Sequence, residues 1–348
     1  TKLIDLFQRK VTLTDEMEDK ELLTALQNFV AQHEQHLIPE KPVSDLSKLM
    51  FDNLVHLDDD KKLALTIPTG WKAYDASFGG IIPGEIMVIG GRPAMGKTQL
   101  LVQLALNISA HTPVLYCSLD ISQEQLAMRF MANLADVSSE AILLHRLTPE
   151  EKERVKHAVI DFQKSRLFIS DENPKSITQL LRKWEEMIQN SGVKVIFVDY
   201  LQLISNPSFQ RNRNQELSYV VLRLKQFAQE HKVALVISSQ LSRAVESRGG
   251  DRRPLLADLR ESGSIEQDAD KVAFIYRPEY YGITEDEFGP TEHLVHLVMA
   301  KNRNGKTDTI FMKRTPTFNR VVSLDELSQS FRISNRWNEL EDDDINPF

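Results

Sequence analysis

The stretch from Gly84 to Asn107, GEIMVIGGRPAMGKTQLLVQLALN, constrains the fold more than any other part of the chain. Ile86 to Ile89 has the length and β-branched content of a buried strand, a glycine turn follows, and an amphipathic run opens at Thr98. The order is strand, loop, helix. Gly91, Arg92, Pro93, Ala94, Met95, Gly96, Lys97 and Thr98 fill the pattern G-x-x-x-x-G-K-[ST], in which backbone N–H groups close around phosphate oxygens. In that pattern Lys97 carries its charge to the β and γ phosphates, and the Thr98 hydroxyl ligates Mg²⁺. The helix that starts there aims unpaired N–H groups and the positive end of its dipole at the same anion. A chance match in an ordinary βα unit is the bland alternative. The flanking strand and helix are the context the motif requires, so a nucleoside triphosphate with Mg²⁺ is the expected ligand pair.

The chain has 348 residues, enough for one large α/β domain with appendages or for two smaller ones. No apolar run approaches the roughly eighteen residues of a membrane span, and the first thirty residues lack a signal-peptide pattern, so a cytoplasmic protein with no membrane partner is expected. The lone Cys117 lies in an apolar strand-like run, which excludes a disulfide framework and suits a buried thiol. The first residue is Thr, as expected of a processed or excised chain. Net charge is −8, which argues against indiscriminate coating of nucleic acid. Five acids without a base fall in the last ten residues, leaving −3 for the rest. Between Arg243 and Arg260 five arginines stand against three acids, a local basic loop on a mildly acidic body.

Thr14 to His36 reads as a helix, with Thr14 as cap, acids in its first turn and Leu22, Leu23, Leu26, Phe29 and Val30 at helical spacing. His33 and His36 lack further ligands and read as solvated. Ser44 to Leu57 makes a second amphipathic segment between polar stretches. From Thr66, turn-rich Pro68-Thr69-Gly70 and Gly79-Gly80 lead to the phosphate loop. After it, strands (113–118, 166–170, 193–198, 233–238) alternate with helices (122–134, 148–164, 176–189, 215–230) that carry Ser122/Gln125 and Thr148/Glu151 capping boxes and a Ser176 cap. That alternation means a mostly parallel sheet with helices on both faces. Lys271 to Tyr276, His293 to Lys301 and Thr307 to Lys313 read as antiparallel additions to one edge. His293 and His296 are expected on opposite faces of one strand, which disfavours a shared metal.

Ligands in such sheets sit at the carboxyl ends of strands. Val195-Ile196-Phe197-Val198 runs into Asp199, the form of a segment that holds Mg²⁺. Asp120 follows the strand 114–119 and is placed to orient an attacking water; Gln240 ends the strand 235–239 and is placed to meet the γ phosphate through an amide that both donates and accepts.

The stretches PTGW, GGRPAMGKT, YCSLDIS, VIFVDYLQL, ISSQLSR, DLRESGSIEQDAD and AKNRNG occur in the order and wording of the motor domain of DnaB-type bacterial replicative helicases. The chain resembles that family from about Thr66 to Val322. The resemblance implies a RecA-like fold, a hexamer that rings single-stranded DNA, and ATP-driven 5′ to 3′ unwinding. Within it Lys97 and Thr98 match the phosphate-loop residues, Asp199 the metal acid and Gln240 the γ-phosphate glutamine. Lys301 and Arg303 match a basic pair that reaches into the next subunit's site as an arginine finger, where a planar guanidinium neutralises charge on the transferred phosphoryl. Arg260, Glu261 and Gly263 match the loop that holds DNA phosphates, which reads phosphate spacing and not bases. Arg243, Arg248, Arg252 and Arg253 would add field around that channel, or be solvated in a mobile loop.

Two departures accompany the resemblance. The family places Glu where this chain has Asp120, so the water would be held about an ångström out of place, which costs on the order of a hundredfold in rate. Glu124, one turn into the next helix, is the candidate substitute, against a plain solvated helix residue. The family's amino-terminal collar is also much larger than anything before Ser44. The expected organisation is therefore a short helical extension over 1–43 as a collar remnant, a linker helix and linker over 44–65, a RecA-like motor over 66–325 and an acidic tail over 326–348. The ending from Glu341 to Phe348 resembles the acidic tip of bacterial single-stranded-DNA-binding proteins. Primase, a helicase loader or another replication protein is its candidate partner, and a disordered tail the alternative. Two other readings stand beside the helicase motor: a RadA-like recombination motor, and a nucleotide-gated scaffold or loading factor with little turnover.

Overall fold

A computed structural model describes residues 66–324 apart from 172–175, 207, 208, 210, 211, 287, 288 and 318, and the backbone alone at 260–264. The helices expected at 14–36 and 44–57 and the acidic tail over 326–348 lie outside the described residues.

In chain order the elements are α1 (Lys72–Phe78), β1 (Ile86–Gly91), α2 (Lys97–Ser109), β2 (Val114–Ser118), α3 (Gln123–Ala135), α4 (Ser139–Leu143) and α5 (Pro149–Phe162). There follow β3 (Leu167–Ser170), α6 (Ile177–Ser191), β4 (Val195–Asp199), α7 (Arg213–His231), β5 (Ala234–Gln240), α8 (Ala244–Ser247) and α9 (Gly263–Asp268). The last group is β6 (Lys271–Tyr276), the two-residue strands β7 (Glu285–Asp286) and β8 (Gly289–Pro290), β9 (Leu294–Asn302), β10 (Thr309–Arg314) and β11 (Val321–Ser323). Among the described residues one nine-stranded sheet has the order β11-β10-β9-β6-β1-β5-β4-β2-β3.

The strands near the middle are apolar at nearly every position because both of their faces are covered. Along β1, Met87 and Ile89 enter one core with Leu101, Leu104 and Ile108 of α2, while Ile86 and Val88 enter the other with Leu180 and Trp184 of α6 and Val220 and Leu224 of α7. Strands β4 and β5 divide the same way, Phe197 and Val236 to the first core, Val198 and Ile237 to the second. This period-two division sandwiches the sheet between helices. Local chemistry sets the helix starts. Thr148 and Glu151 form a reciprocal box that spans Pro149, and Ser122 and Ser176 each accept from the third backbone N–H beyond them. None of the described helices is long and apolar enough to cross a membrane.

Three expectations change. Strand β6 is not an antiparallel edge addition: it runs parallel to β1, Met87 opposite Lys271 and Gly90 opposite Phe274, and the antiparallel pairings of the nine-stranded sheet, among the described residues, are β6 with β9, β9 with β10 and β10 with β11. Its crossover helix α9 has six residues, too few for sequence periodicity to separate from a loop. The turn-rich lead-in at 68–80 also contains α1, which buries Tyr74 and Phe78 and ends at Gly79 with φ 75°. His293 is not a strand residue but precedes β9 with φ 61°, whereas His296 is buried within it.

Candidate nucleotide site

Strand β1 delivers the chain into the loop 92–96, where Ala94 and Gly96 take positive φ values of 63° and 98°. Nothing lies within 4 Å of a Cβ built on Gly96, so the backbone conformation and not space selects glycine there. Helix α2 starts at Lys97, leaving its first N–H groups directed at the loop. Lys97 Nζ donates to the carbonyls of Gly91 (2.9 Å) and Arg92 (3.1 Å). Burial pushes its pKa down to about 8 against the opposing pull of Asp199, with Arg92 lowering it further. A phosphate brought to this ammonium would favour its charged form and raise that pKa again.

Beside the loop is a cavity of about 480 Å³, lined by Pro93 to Leu100 and, among others, by Asp120, Asp199 and Gln240. The register explains this convergence. Gly91 is opposite Gln240 and Ser118 opposite Asp199, so the ends of β1, β5, β4 and β2 come level at one edge of the sheet. Asp199 is buried, and a buried carboxylate needs donors. Ser238 Oγ donates to its Oδ1 at 2.5 Å, and the Tyr116 hydroxyl to its Oδ2 at 3.2 Å. Burial, then the charge of Asp199, raises the Tyr116 phenol well above its ordinary range, so it remains a donor. Two hydrogen bonds leave lone pairs on Asp199 for a cation. Thr98 and Asp199 both line the cavity, and one hydroxyl with one carboxylate is the hard-oxygen set that suits Mg²⁺ when phosphate oxygens complete the shell. No cluster of three or more His, Cys, Asp or Glu that would hold a metal without phosphate occurs among the described residues.

Asp120 is exposed, two residues beyond the end of β2. Glu124, the candidate substitute, lies outside the cavity lining and accepts from the Ser122 hydroxyl at 2.6 Å. Gln240 is clamped through its backbone by Gln202, whose amide oxygen accepts from Gln240 N–H at 3.3 Å and whose amide nitrogen donates to its carbonyl at 3.2 Å. Arg92, read as part of the phosphate cradle, turns its side chain away: Nε donates to Glu246 at 2.9 Å and Nη1 to the Leu241 carbonyl at 2.8 Å, tying the loop to the exit of β5.

Sequence reasoning missed Tyr116, Ser238 and Gln202, and also Arg129, Arg277 and Arg314 in the cavity wall. Arg277 Nη1 donates to the Ala94 carbonyl at 3.1 Å, and Arg277 and Arg314 share the Glu279 carboxylate. Arg277 follows a buried strand, the same signal that found Asp120 and Gln240. Arg129 lies on α3, where an arginine gives no signal.

The structure does not bring Lys301 and Arg303 to this cavity. Lys301 is opposite Val272 and Asn302 opposite Lys271, at the start of β6. They therefore lie beside the beginning of β1, roughly 15 Å along the strand direction from the loop that leaves its end. Burial and the neighbouring Arg303 lower the pKa of Lys301. The backbone of Arg260 and Glu261 is in a 3-10 turn (Leu256–Ser262), and Gly263 opens α9. Asp258 pins that turn, accepting from Leu255 N–H at 2.7 Å and pairing with Arg248. Of the arginines expected to add field, Arg252 lies over the Tyr281 ring, and Arg253 lies over the Tyr276 ring with His296 Nδ1 3.1 Å away. Burial and Arg253 push His296 down to about 4, so the ring is neutral and its Nδ1 accepts. Arg248, Arg252 and Arg253 are thus tied to their own chain, and Arg243 is exposed.

Residues 66–323 match the family model described as DnaB-like helicase C terminal domain. The replicative DNA helicase DnaC of Bacillus subtilis is 32% identical over 90% of this chain and 69% of its own. The replicative DNA helicase DnaB of Haemophilus influenzae is 37% identical over 75% of this chain and 56% of its own. This chain thus spans between about half and two thirds of the length of these relatives. The solved structure of a DnaB-like replicative helicase, described with its interactions with primase, superposes with a TM-score of 0.73 at 26% identity, covering 93% of this chain and 75% of that one. Helicases of this type are NTPases that depend on nucleotide and metal, and the sheet order, the phosphate loop and the carboxylate at the end of β4 are all present here. The chain belongs to the family of the DnaB-like helicase C-terminal domain.

Proposed function

We propose that this chain is an ATP-driven motor that assembles into a hexameric ring or open ring, travels 5′ to 3′ on single-stranded DNA and unwinds duplex. The observation that carries the reading is the separation within one chain: the phosphate cradle lies at one edge of the sheet, and Lys301 and Arg303 lie at the other. A cation so placed serves a phosphate on another copy, so a head-to-tail contact completes each site.

In that site the loop N–H groups and Lys97 hold the β and γ phosphates, and Thr98 and Asp199 hold Mg²⁺, which neutralises charge on the phosphate oxygens. Asp120 orients the attacking water, and Gln240 contacts the γ phosphate from the end of β5. Ile275, Val295 and Val321 supply an apolar wall for the base end of the nucleotide. Arg303 from the neighbouring copy stabilises the charge of the transferred phosphoryl. Arg260, Glu261 and Gly263 hold DNA phosphates. Primase is the partner suggested by the described relative.

The test is ATP hydrolysis with and without a DNA strand, beside the mass of the assembly with nucleotide. The reading expects a multimer and DNA-stimulated turnover; a nucleotide-bound monomer without stimulation overturns it. The short reach of Asp120 favours one second reading, a nucleotide-gated loading factor, which would bind ATP and not turn it over faster with DNA.

A further inference from the structure

Asp270, between α9 and β6, is a buried carboxylate whose partners come from three parts of the chain. Its Oδ2 accepts from the Ile86 N–H at 2.8 Å, where β1 begins, and from Lys225 Nζ of α7 at 2.6 Å. Its Oδ1 accepts from Arg303 Nη1 at 3.3 Å, and its backbone carbonyl from the Arg303 N–H at 2.9 Å. Arg303 Nη2 donates to the carbonyl of Gln267, and Lys301 Nζ to those of Glu266 (2.5 Å) and Gln267 (3.0 Å). These carbonyls end α9, the helix whose first residue is Gly263. Cations at a helix carboxyl end are favoured by its dipole as well as by its unpaired carbonyls.

We infer that Asp270 and the carboxyl end of α9 position the Arg303 guanidinium, so that the loop holding DNA and the cation serving the neighbouring site move as one body. The inference rests on the proposed role of Arg303 as a finger. A guanidinium has five N–H groups; Asp270 and Gln267 engage two of its nitrogens, and the side chain is 45% exposed, which leaves donors for a phosphate oxygen on another copy. An unheld arginine samples many rotamers and must be ordered at each turnover, whereas one fixed at both Nη atoms is preorganised. Asp270 can act as that anchor because Lys225 and the start of β1 fix it in turn. Movement of the 260–263 backbone when DNA binds passes through six residues of helix to the carbonyls that Lys301 and Arg303 grip.

The experiment measures steady-state ATP hydrolysis by the full chain with saturating single-stranded DNA, for the parent, Asp270→Asn, Arg303→Ala and the double variant. Asp270→Asn is expected to lower DNA-stimulated kcat about tenfold with the KM for ATP within about twofold of the parent, as misplacement of a charge-stabilising group does. In the Arg303→Ala background it is expected to cost nothing further, because its effect passes through that side chain. Parental kcat in Asp270→Asn, or losses that multiply in the double variant, overturn the inference while leaving the finger in place. Parental turnover in Arg303→Ala removes the finger reading itself. If Asp270→Asn does not fold, Lys225→Met replaces it in the same cycle: a smaller loss that vanishes with Arg303→Ala supports the inference, and multiplying losses overturn it.

Discussion

Raising the pH from 7 to 9 should weaken nucleotide binding through Lys97 alone. In the free protein, burial holds this ammonium at about 8 instead of its ordinary 10.5. At pH 7 it is mostly charged; at pH 9 about one molecule in eleven carries the charge. Triphosphate oxygens beside Nζ favour the charged form, so binding at the higher pH must first recover the proton. The affinity is then expected to fall roughly tenfold, about 1.4 kcal/mol. Equilibrium titration with a fluorescent ATP analogue at saturating Mg²⁺ reads this directly. Lys97→Arg, which stays charged throughout, should lose the slope. The same group has the opposite effect on folding. Its folded pKa is lowered, so between about 8 and 10.5 the unfolded chain binds more protons, and this residue's contribution to stability improves as pH rises through that window. Affinity that stays constant from pH 7 to 9, or an undiminished slope in Lys97→Arg, would refute the reasoning.

Asp120→Glu should raise DNA-stimulated ATP turnover, by up to about a hundredfold if water placement limits the rate, and Asp120→Ala should nearly abolish it; unchanged turnover in the alanine variant would remove Asp120 from the chemistry. Ser238→Ala takes a 2.5 Å hydrogen bond from the buried Asp199, and urea unfolding without metal should show a loss of about 1–3 kcal/mol. Trp184 is fully buried between β2 and α7 and donates to Cys117 Sγ at 3.0 Å, so Trp184→Ala should cost about 3–5 kcal/mol by the same measurement.

What the sequence made legible was whatever chemistry sits at the end of a strongly patterned strand. The phosphate loop, Asp199 and Gln240 each follow an apolar run of strand length, and a parallel sheet then brings such ends level. Tyr116 and Ser238 were invisible by the same logic, because they face Asp199 only through the register of β2 and β5 against β4. Gln202 follows β4 by three residues, and its amide meets the backbone of Gln240 only in the folded chain. The direction of β6 is not legible because α9 is too short to show a helical period, although the unbroken Val272 to Tyr276 run is what a strand covered on both faces requires. Arg92 occupies a phosphate-loop position, yet its side chain belongs to Glu246 and Leu241, a pairing no local pattern reveals. The basic loop shows a similar limit: its net charge was readable, but the rings of Tyr276 and Tyr281 that hold Arg253 and Arg252 come from a distant stretch of chain.

The most direct test of a site shared between copies mixes two defective chains, Lys97→Ala, which lacks the cradle cation, and Arg303→Ala, which lacks the finger. Each alone should turn over ATP slowly with DNA present. Mixed in equal amounts before assembly, roughly one contact in four joins an intact cradle to an intact finger, and turnover should recover to about a quarter of the parental rate. A mixture no faster than the average of its two components, with assembly confirmed by mass, would contradict the account.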